Sequence, residues 1–347
     1  MRVGILTGGG DCPGLNAVIR AVVRKGVFHY HDEFVGFLEG WRGLIEDQSM
    51  ELDLDAVGGI LPRGGTILRT SRTNPSKRPD GFDRCIATIQ KHKLDALVAI
   101  GGDDTLSVAQ KLHEKGVKVV GVPKTIDNDL EGTLFTFGFD SAVSCATDAL
   151  DRLHSTAESH NRVMVLEVMG RYAGWIALYA GVAGGADVIL IPEIPFSYES
   201  VCSKIQEREN LGKKFTILVV AEGAREKDGG FTTSGTHSKT GEARLGGIGA
   251  VVSAKIEKCT GKESRVCVLG HLQRGGSPTT FDRALCSIFG ATAVELVAAG
   301  EFGKMVAFTG PHIGAIKISD AIGKIKVVRP DGNLVRTARA LGICFGD

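Results

Sequence analysis

A chain of 347 residues with 43% hydrophobic content is long enough to bury one large core or two of medium size, and two lobes are expected. Its 41 basic and 40 acidic residues are spread along the chain and leave a net charge of +1, which argues against a nucleic-acid groove, so any phosphate binding must be local. No apolar run reaches bilayer length, and Met1 and Arg2 lead into an apolar strand without a leader, so no membrane partner and a cytoplasmic location are expected.

In chain order, strand-like apolar runs fall at 3–6, 96–100, 117–122, 163–168, 188–191, 215–220 and 266–269. Helical periodicity falls at 16–28, 105–115, 141–158, 197–210, 248–259 and 281–299. Continuous apolar strands alternating with helices predict an α/β fold whose sheets are mainly parallel and flanked by helices. Glycines cluster where strands end, the place where open α/β sheets bind ligands and helix N-termini favour anions. The segment 225–247 lacks an apolar period and reads as a long surface loop or hairpin. Eight cysteines, Cys12, Cys85, Cys145, Cys202, Cys259, Cys267, Cys286 and Cys344, show no C-x-x-C pair, so buried, reduced thiols are expected rather than a disulfide or zinc framework.

After the first strand, Thr7-Gly8-Gly9-Gly10-Asp11-Cys12-Pro13-Gly14-Leu15-Asn16 opens a helix and offers backbone N–H groups to a phosphate, although a ligand-free turn would use the same residues. The second Gly cluster, Gly101-Gly102-Asp103-Asp104-Thr105, sets two carboxylates at a helix start. Helix-terminal charge is the plain alternative, but one acid suffices for it, and Asp103 is read as a magnesium ligand. The next strand ends in Pro123-Lys124-Thr125-Ile126-Asp127-Asn128-Asp129, which puts a cation, a hydroxyl and two carboxylates in one loop. Phosphoryl transfer asks for that inventory: charge to spread over the moving group and a carboxylate to take the acceptor's proton.

With these motifs in order, joined by EVMGRYAGW from Glu167 and GHLQRGGSPT from Gly270, nearly the whole chain resembles the phosphofructokinases. The resemblance implies a two-lobed fold, with 1–138 plus about 273–323 forming a donor lobe and 139–272 plus about 324–347 a fructose 6-phosphate lobe. It implies Asp127 as general base, Thr125 and Arg171 on the transferring phosphoryl group, Asp103 and Asp129 at magnesium, and Gly10 and Arg72 on donor phosphates. For the sugar phosphate it implies Met169, Gly170, Arg171, Glu222, His271 and Arg274, completed by Arg162 and Arg265 of a neighbouring subunit in a homotetramer or homodimer. The sugar site would lie between the lobes.

Asp104 and Lys124 bear on the donor, because ATP-using relatives carry glycine at both matching positions and pyrophosphate-using relatives carry aspartate and lysine. A carboxylate near an α-phosphate would repel ATP by about 4 kcal/mol at ~4 Å and an effective dielectric of ~20, roughly a thousandfold in affinity. Pyrophosphate is therefore the expected donor, with ATP as the alternative, and the reaction is expected to run both ways. Val108 stands where ATP-using relatives have glycine near the nucleoside. Arg20, Arg24 and Lys213 match an effector site that Leu54, His154 and Leu211 leave incomplete. A lipid or dinucleotide kinase sharing the Gly-Gly-Asp turn would not need MGR or HLQRGG. A non-catalytic sensor would not need Asp103, Thr125, Asp127, Asp129 and Arg171 together.

Overall fold

A computed structural model describes residues 1–237 and 243–347. Its elements run β1 (Arg2–Thr7), α1 (Leu15–Lys25), β2 (Glu33–Phe37), α2 (Trp41–Glu46), β3 (Ser49–Glu51), α3 (Gly81–Lys91), β4 (Ala96–Gly101), α4 (Asp103–Glu114) and β5 (Val119–Pro123). They continue with α5 (Phe139–His160), β6 (Val163–Val168), α6 (Trp175–Ala183), β7 (Val188–Leu190), α7 (Tyr198–Asn210), β8 (Thr216–Ala221), β9 (Thr233–His237) and β10 (Ala243–Leu245). The last are α8 (Ile248–Thr260), β11 (Ser264–Val268), α9 (Thr280–Ala298), β12 (Lys304–Phe308), β13 (Ile313–Lys317), α10 (Ile318–Ala321) and α11 (Asn333–Ala340). The chain divides into two compact units: residues 1–141 with 274–325, and residues 142–273 with 326–347.

The first unit holds a seven-stranded sheet in the order β13-β12-β5-β4-β1-β2-β3. Its five central strands are parallel, and antiparallel pairs close both edges. Strands β4 and β5 are buried along their whole length, as continuous apolar runs covered on both faces must be. From β1 the chain passes first to β2 on one side and later to β4 on the other. The strand order therefore reverses between β1 and β4, where a crevice opens beyond their carboxyl ends. Helix α1 buries Leu15, Val18, Ile19, Val22 and Val23, an i, i+3, i+4 stripe, and carries Arg24 and Lys25 in its last turn, where cations suit the helix dipole. The expected helix over 16–28 changes character at Gly26, where one wider π turn runs to Tyr30.

The second unit has a four-stranded, all-parallel sheet in the order β11-β6-β8-β7. Here the reversal falls at β6, between β8 and β11. Strands β9 and β10 pair antiparallel within the expected loop-or-hairpin segment, of which residues 238–242 lie outside the described residues.

The cysteine expectation needs correction. Cys12, Cys85 and Cys286 are buried free thiols, but Cys202 and Cys259 form a disulfide with Cα atoms 6.4 Å apart. Cys145, Cys267 and Cys344 are free but only half-buried. Cys202 lies in the first turns of α7 and Cys259 in the last turn of α8, and the packing of these helices brings together two residues 57 apart in sequence.

Candidate active site

In the first unit the glycine loops after β1 and β4 meet at one side chain. A methyl group on Gly8 would stand 2.5 Å from Thr105 Oγ1, and one on Gly101 would stand 2.3 Å from Thr105 Cβ, so neither position has room for a Cβ. Gly8 N–H donates to the Ile100 carbonyl (2.9 Å), locking the first loop to β4. Gly9 N–H donates to Ser71 O (3.2 Å) and Thr70 Oγ1–H to Gly9 O (2.6 Å), so the segment carrying exposed Arg72 is tied to the same loop.

Two cations flank Gly10. The Lys124 ammonium donates to its carbonyl, and a Cβ on Gly10 would lie 2.5 Å from Arg274 Nη1, which donates to Asp11 O at 3.1 Å. Arg274, expected with the sugar phosphate, thus stands on the Gly10–Asp11 loop. Lys124 is 4% exposed, and burial pushes its pKa below the ordinary lysine value. Arg274 pushes it the same way, while Cys12, Asp11 and Asp127 oppose. A reading of Lys124 as a solvated loop cation is therefore set aside: the loop buries an amine whose charge an incoming anion would stabilise.

Asp103 and Asp104 occupy the first turn of α4, both exposed. Asp103 Oδ1 accepts from Gly323 N–H at 2.7 Å. Asp104 makes no side-chain hydrogen bond or ion pair among the described residues. Neither acid caps the helix, whose N-cap Gly102 receives no side-chain bond. Val108, on the same helix, is 1% exposed and packed in the core with Leu106 and Leu112, which removes it from any surface a donor could touch.

The register Gly101↔Pro123 puts the loop after β5 beside the α4 start. Within that loop Asp127 N–H donates to Thr125 Oγ1 (3.1 Å), a local side-chain turn, and Asn128 takes a left-handed backbone at φ 51°. Asn128 is buried, and its Oδ1 accepts from Thr136 N–H (3.1 Å), while Thr136 Oγ1–H donates to Thr125 O (2.7 Å). Thr125, Asp127 and Asp129 are thus carried on a loop pinned from outside by Thr136. Thr136 escaped the sequence reading, and Thr105 and Asn128 entered it only as members of their motifs, without the packing and bracing parts they play.

No three ligand-type side chains converge among the described residues. Asp103 and Asp129, carried at the ends of adjacent strands, suit a magnesium ion, which takes one or two carboxylates and fills its shell with water and phosphate oxygens.

In the second unit the loops after β6, β8 and β11 come together. Glu222 N–H donates to Val168 O (2.8 Å) and Gly223 N–H to Gly170 O (3.1 Å). A Cβ on Gly223 would stand 2.0 Å from Arg171 O, so glycine is required for this approach. Fully buried Gln273 accepts from Met169 N–H (3.3 Å) and donates to Gly270 O (3.1 Å), joining the Met169-Gly170-Arg171 turn to the loop bearing exposed His271. The Arg171 guanidinium lies 5.2 Å over the Tyr172 ring. Met169, Gly170, Arg171, Glu222 and His271 therefore share one end of the sheet.

Arg162 and Arg265 do not join them. Arg162 precedes β6 and Arg265 is near the start of β11, and both bind Glu263, Arg162 through Nε at 2.8 Å. Glu263 is accordingly held below the usual glutamate pKa, first by its hydrogen bond from Arg162.

The chain matches the family described as "Phosphofructokinase" over residues 2–297. It is 56% identical over 332 residues to a Streptomyces coelicolor protein named pyrophosphate--fructose 6-phosphate 1-phosphotransferase, covering 95% of this chain and 97% of that one. It is also 53% identical to a Chloroflexus aurantiacus protein named ATP-dependent 6-phosphofructokinase, covering 100% and 98%. Among solved structures, phosphofructokinase from Pichia pastoris superposes with TM-score 0.83 at 31% identity, over 92% of this chain but 35% of that much longer one. A pyrophosphate-dependent phosphofructokinase from Nitrosospira multiformis gives TM-score 0.85 at 22% identity, over 100% and 92%, a likeness of fold.

Proposed function

The chain belongs to the phosphofructokinase family, and from that membership and its donor loop we propose that it transfers a phosphoryl group from pyrophosphate to the 1-hydroxyl of fructose 6-phosphate. The products are fructose 1,6-bisphosphate and phosphate, and the step belongs to glycolysis. The observation that carries the donor assignment is the pairing of Asp104, exposed at the start of α4, with Lys124, buried against the Gly10 carbonyl. The acid repels a third phosphate, while the buried ammonium of Lys124 is stabilised by a compact anion.

In this reading Gly10, Arg72 and Lys124 bind pyrophosphate, and Asp127 takes the proton from the sugar hydroxyl as the new P–O bond forms. Thr125 and Arg171 contact the moving phosphoryl group. Met169, Gly170, Glu222 and His271 hold the sugar phosphate, and Arg274, beside Gly10, remains a candidate for either phosphate. Asp103, with Asp129, would hold magnesium, which when bound spreads the negative charge of the phosphates. The anhydride and ester are close in energy, so the reaction runs in both directions. Arg162 and Arg265 serve a neighbouring copy, which makes the working form a homo-oligomer, a tetramer or dimer. The cytoplasm is its compartment, in keeping with the absence, among the described residues, of a helix long and apolar enough to cross a membrane.

The ATP-dependent reading rests on the 53% identity to a relative bearing that name. Initial rates on fructose 6-phosphate with magnesium, compared between pyrophosphate and ATP, separate the two. Pyrophosphate is expected to be preferred, and an Asp104→Gly, Lys124→Gly double variant should lose much of that preference. A native preference for ATP overturns the donor while leaving the sugar.

A further inference from the structure

Asp282 is fully buried in the first turn of α9, three residues after the N-cap Thr279. It does not spend its carboxylate on its own helix. Oδ1 accepts from Gly138 N–H (3.1 Å), and Oδ2 accepts from Ser141 N–H (2.9 Å) and Ser141 Oγ–H (2.6 Å). These backbone donors lie at the start of α5, where N–H groups lack intrahelical partners. Ser141 Oγ accepts in turn from Thr279 N–H (3.1 Å), Thr279 Oγ1 accepts from Asp282 N–H (3.2 Å), and Thr279 Oγ1–H donates to Asp140 Oδ2 (2.5 Å), so Asp282, Ser141, Thr279 and Asp140 belong to one network.

The strip ending at this network braces the loop after β5. Phe137 bridges to Lys124, Thr136 Oγ1–H donates to Thr125 O, and Thr136 N–H donates to Asn128 Oδ1. Residues 136–138 therefore touch the loop at both ends of its reactive stretch, and Gly138 is their fixed point on α9. Resting on the reaction proposed above, we propose that Asp282 is a positioning residue that holds Thr125 and Asp127 in register for phosphoryl transfer.

Its chemistry fits the task. Burial, the largest influence, lifts its pKa to about 6 against the donors from Ser141 and Gly138, with Asp140 on α5 adding to the rise. The other groups coupled to it electrostatically, the thiols of Cys12 and Cys286, are themselves pushed upward by burial and stay neutral. At neutral pH both Asp282 oxygens thus accept. Asparagine keeps the shape but turns one acceptor into a donor facing another donor, a mismatch that loosens Gly138 or Ser141.

The test compares Asp282→Asn, Ser141→Ala and, as a control on the same buried helix, Cys286→Ala. In Asp282→Asn kcat should fall about 10–100-fold with little change in KM for fructose 6-phosphate, because misplacement of reacting groups acts on turnover. Ser141→Ala should give a smaller loss of the same kind, and it carries the test if Asp282→Asn does not fold. Cys286→Ala should lose stability alone. Amide hydrogen exchange over 124–129 should quicken in Asp282→Asn and not in Cys286→Ala, a readout that stands even if the unaltered protein proves inactive with both donors and the proposed reaction fails. Native kcat in both polar variants with unchanged exchange overturns the role.

Discussion

Burial works against the charge on Lys124, and that gives the side chain two separable effects. Its folded pKa lies below 10.5, so between the two values the unfolded chain binds more protons. The destabilising influence of the ammonium is therefore full below the folded pKa and fades as pH rises toward 10.5. Lys124→Met should melt a few degrees above the unaltered protein at pH 7, with the gap closing in alkaline buffer, as seen by scanning calorimetry. The same variant should raise KM for pyrophosphate roughly 10–100-fold by removing a charge-assisted contact. A lower melting point or an unchanged KM contradicts this account. Asp127 acts differently: Asp127→Ser should lower kcat by about 100-fold or more while fructose 6-phosphate binding holds, because a base works in the transition state. Turnover near normal would remove it from that role.

Elements were legible in the sequence where their pattern was long and their ends were marked. Strands β1, β4, β5, β6 and β8 are built on apolar, largely buried runs, and the loops that follow them carry the candidate site. Strands β3 and β13 at the sheet edges and β2 and β12 next to them are short and mix in glycine or charge, as in Glu33–Phe37 and Ile313–Lys317, so no period rose above background. Helix α6, Trp175–Ala183, is apolar nearly all round, and periodicity cannot tell such a helix from a buried strand. The Cys202–Cys259 disulfide had no spacing signal, because only the packing of α7 on α8 makes those residues neighbours. The brace at Asp282 did leave a trace, since Thr279-Thr280-Phe281-Asp282 follows the helix-start pattern of a hydroxyl followed three residues on by an acid. The disulfide is testable at this scale: the denatured, unreduced protein should titrate six free thiols. Reduction should cost up to about 4 kcal/mol by chain entropy for a loop of this length, read as a lower melting midpoint. Eight titrating thiols would show the pair to be reduced.

The whole molecule raises the question of why Arg162 and Arg265 should be placed where they are. They stand at the amino ends of β6 and β11, whereas Met169, Arg171 and His271 follow the carboxyl ends. A strand advances about 3.3 Å per residue, so the two groups are separated by on the order of 20 Å along β6, beyond the reach of an arginine side chain. Within one copy they cannot share a ligand with the Met169-Gly170-Arg171 turn, and held jointly by Glu263 they form a preorganised cationic pair at the other end of the sheet. If a second copy presents this pair to the first, two inactive variants should repair each other. Arg171→Ala spoils the loop end and Arg265→Ala the cationic end, so each homo-oligomer is expected to be nearly inactive. In a hybrid the site that takes its loops from the Arg265→Ala subunit and its cations from the Arg171→Ala subunit is intact. With pairwise symmetric exchange, random mixing and selection of hybrids, activity should recover to roughly half the unaltered level in a dimer and roughly 30% in a tetramer. Co-expression from two differently tagged copies, purified through both tags and assayed on fructose 6-phosphate, measures it. A mixture no more active than its two components would mean that each subunit completes its own site, and the two arginines would revert to an ion pair that steadies the start of β11.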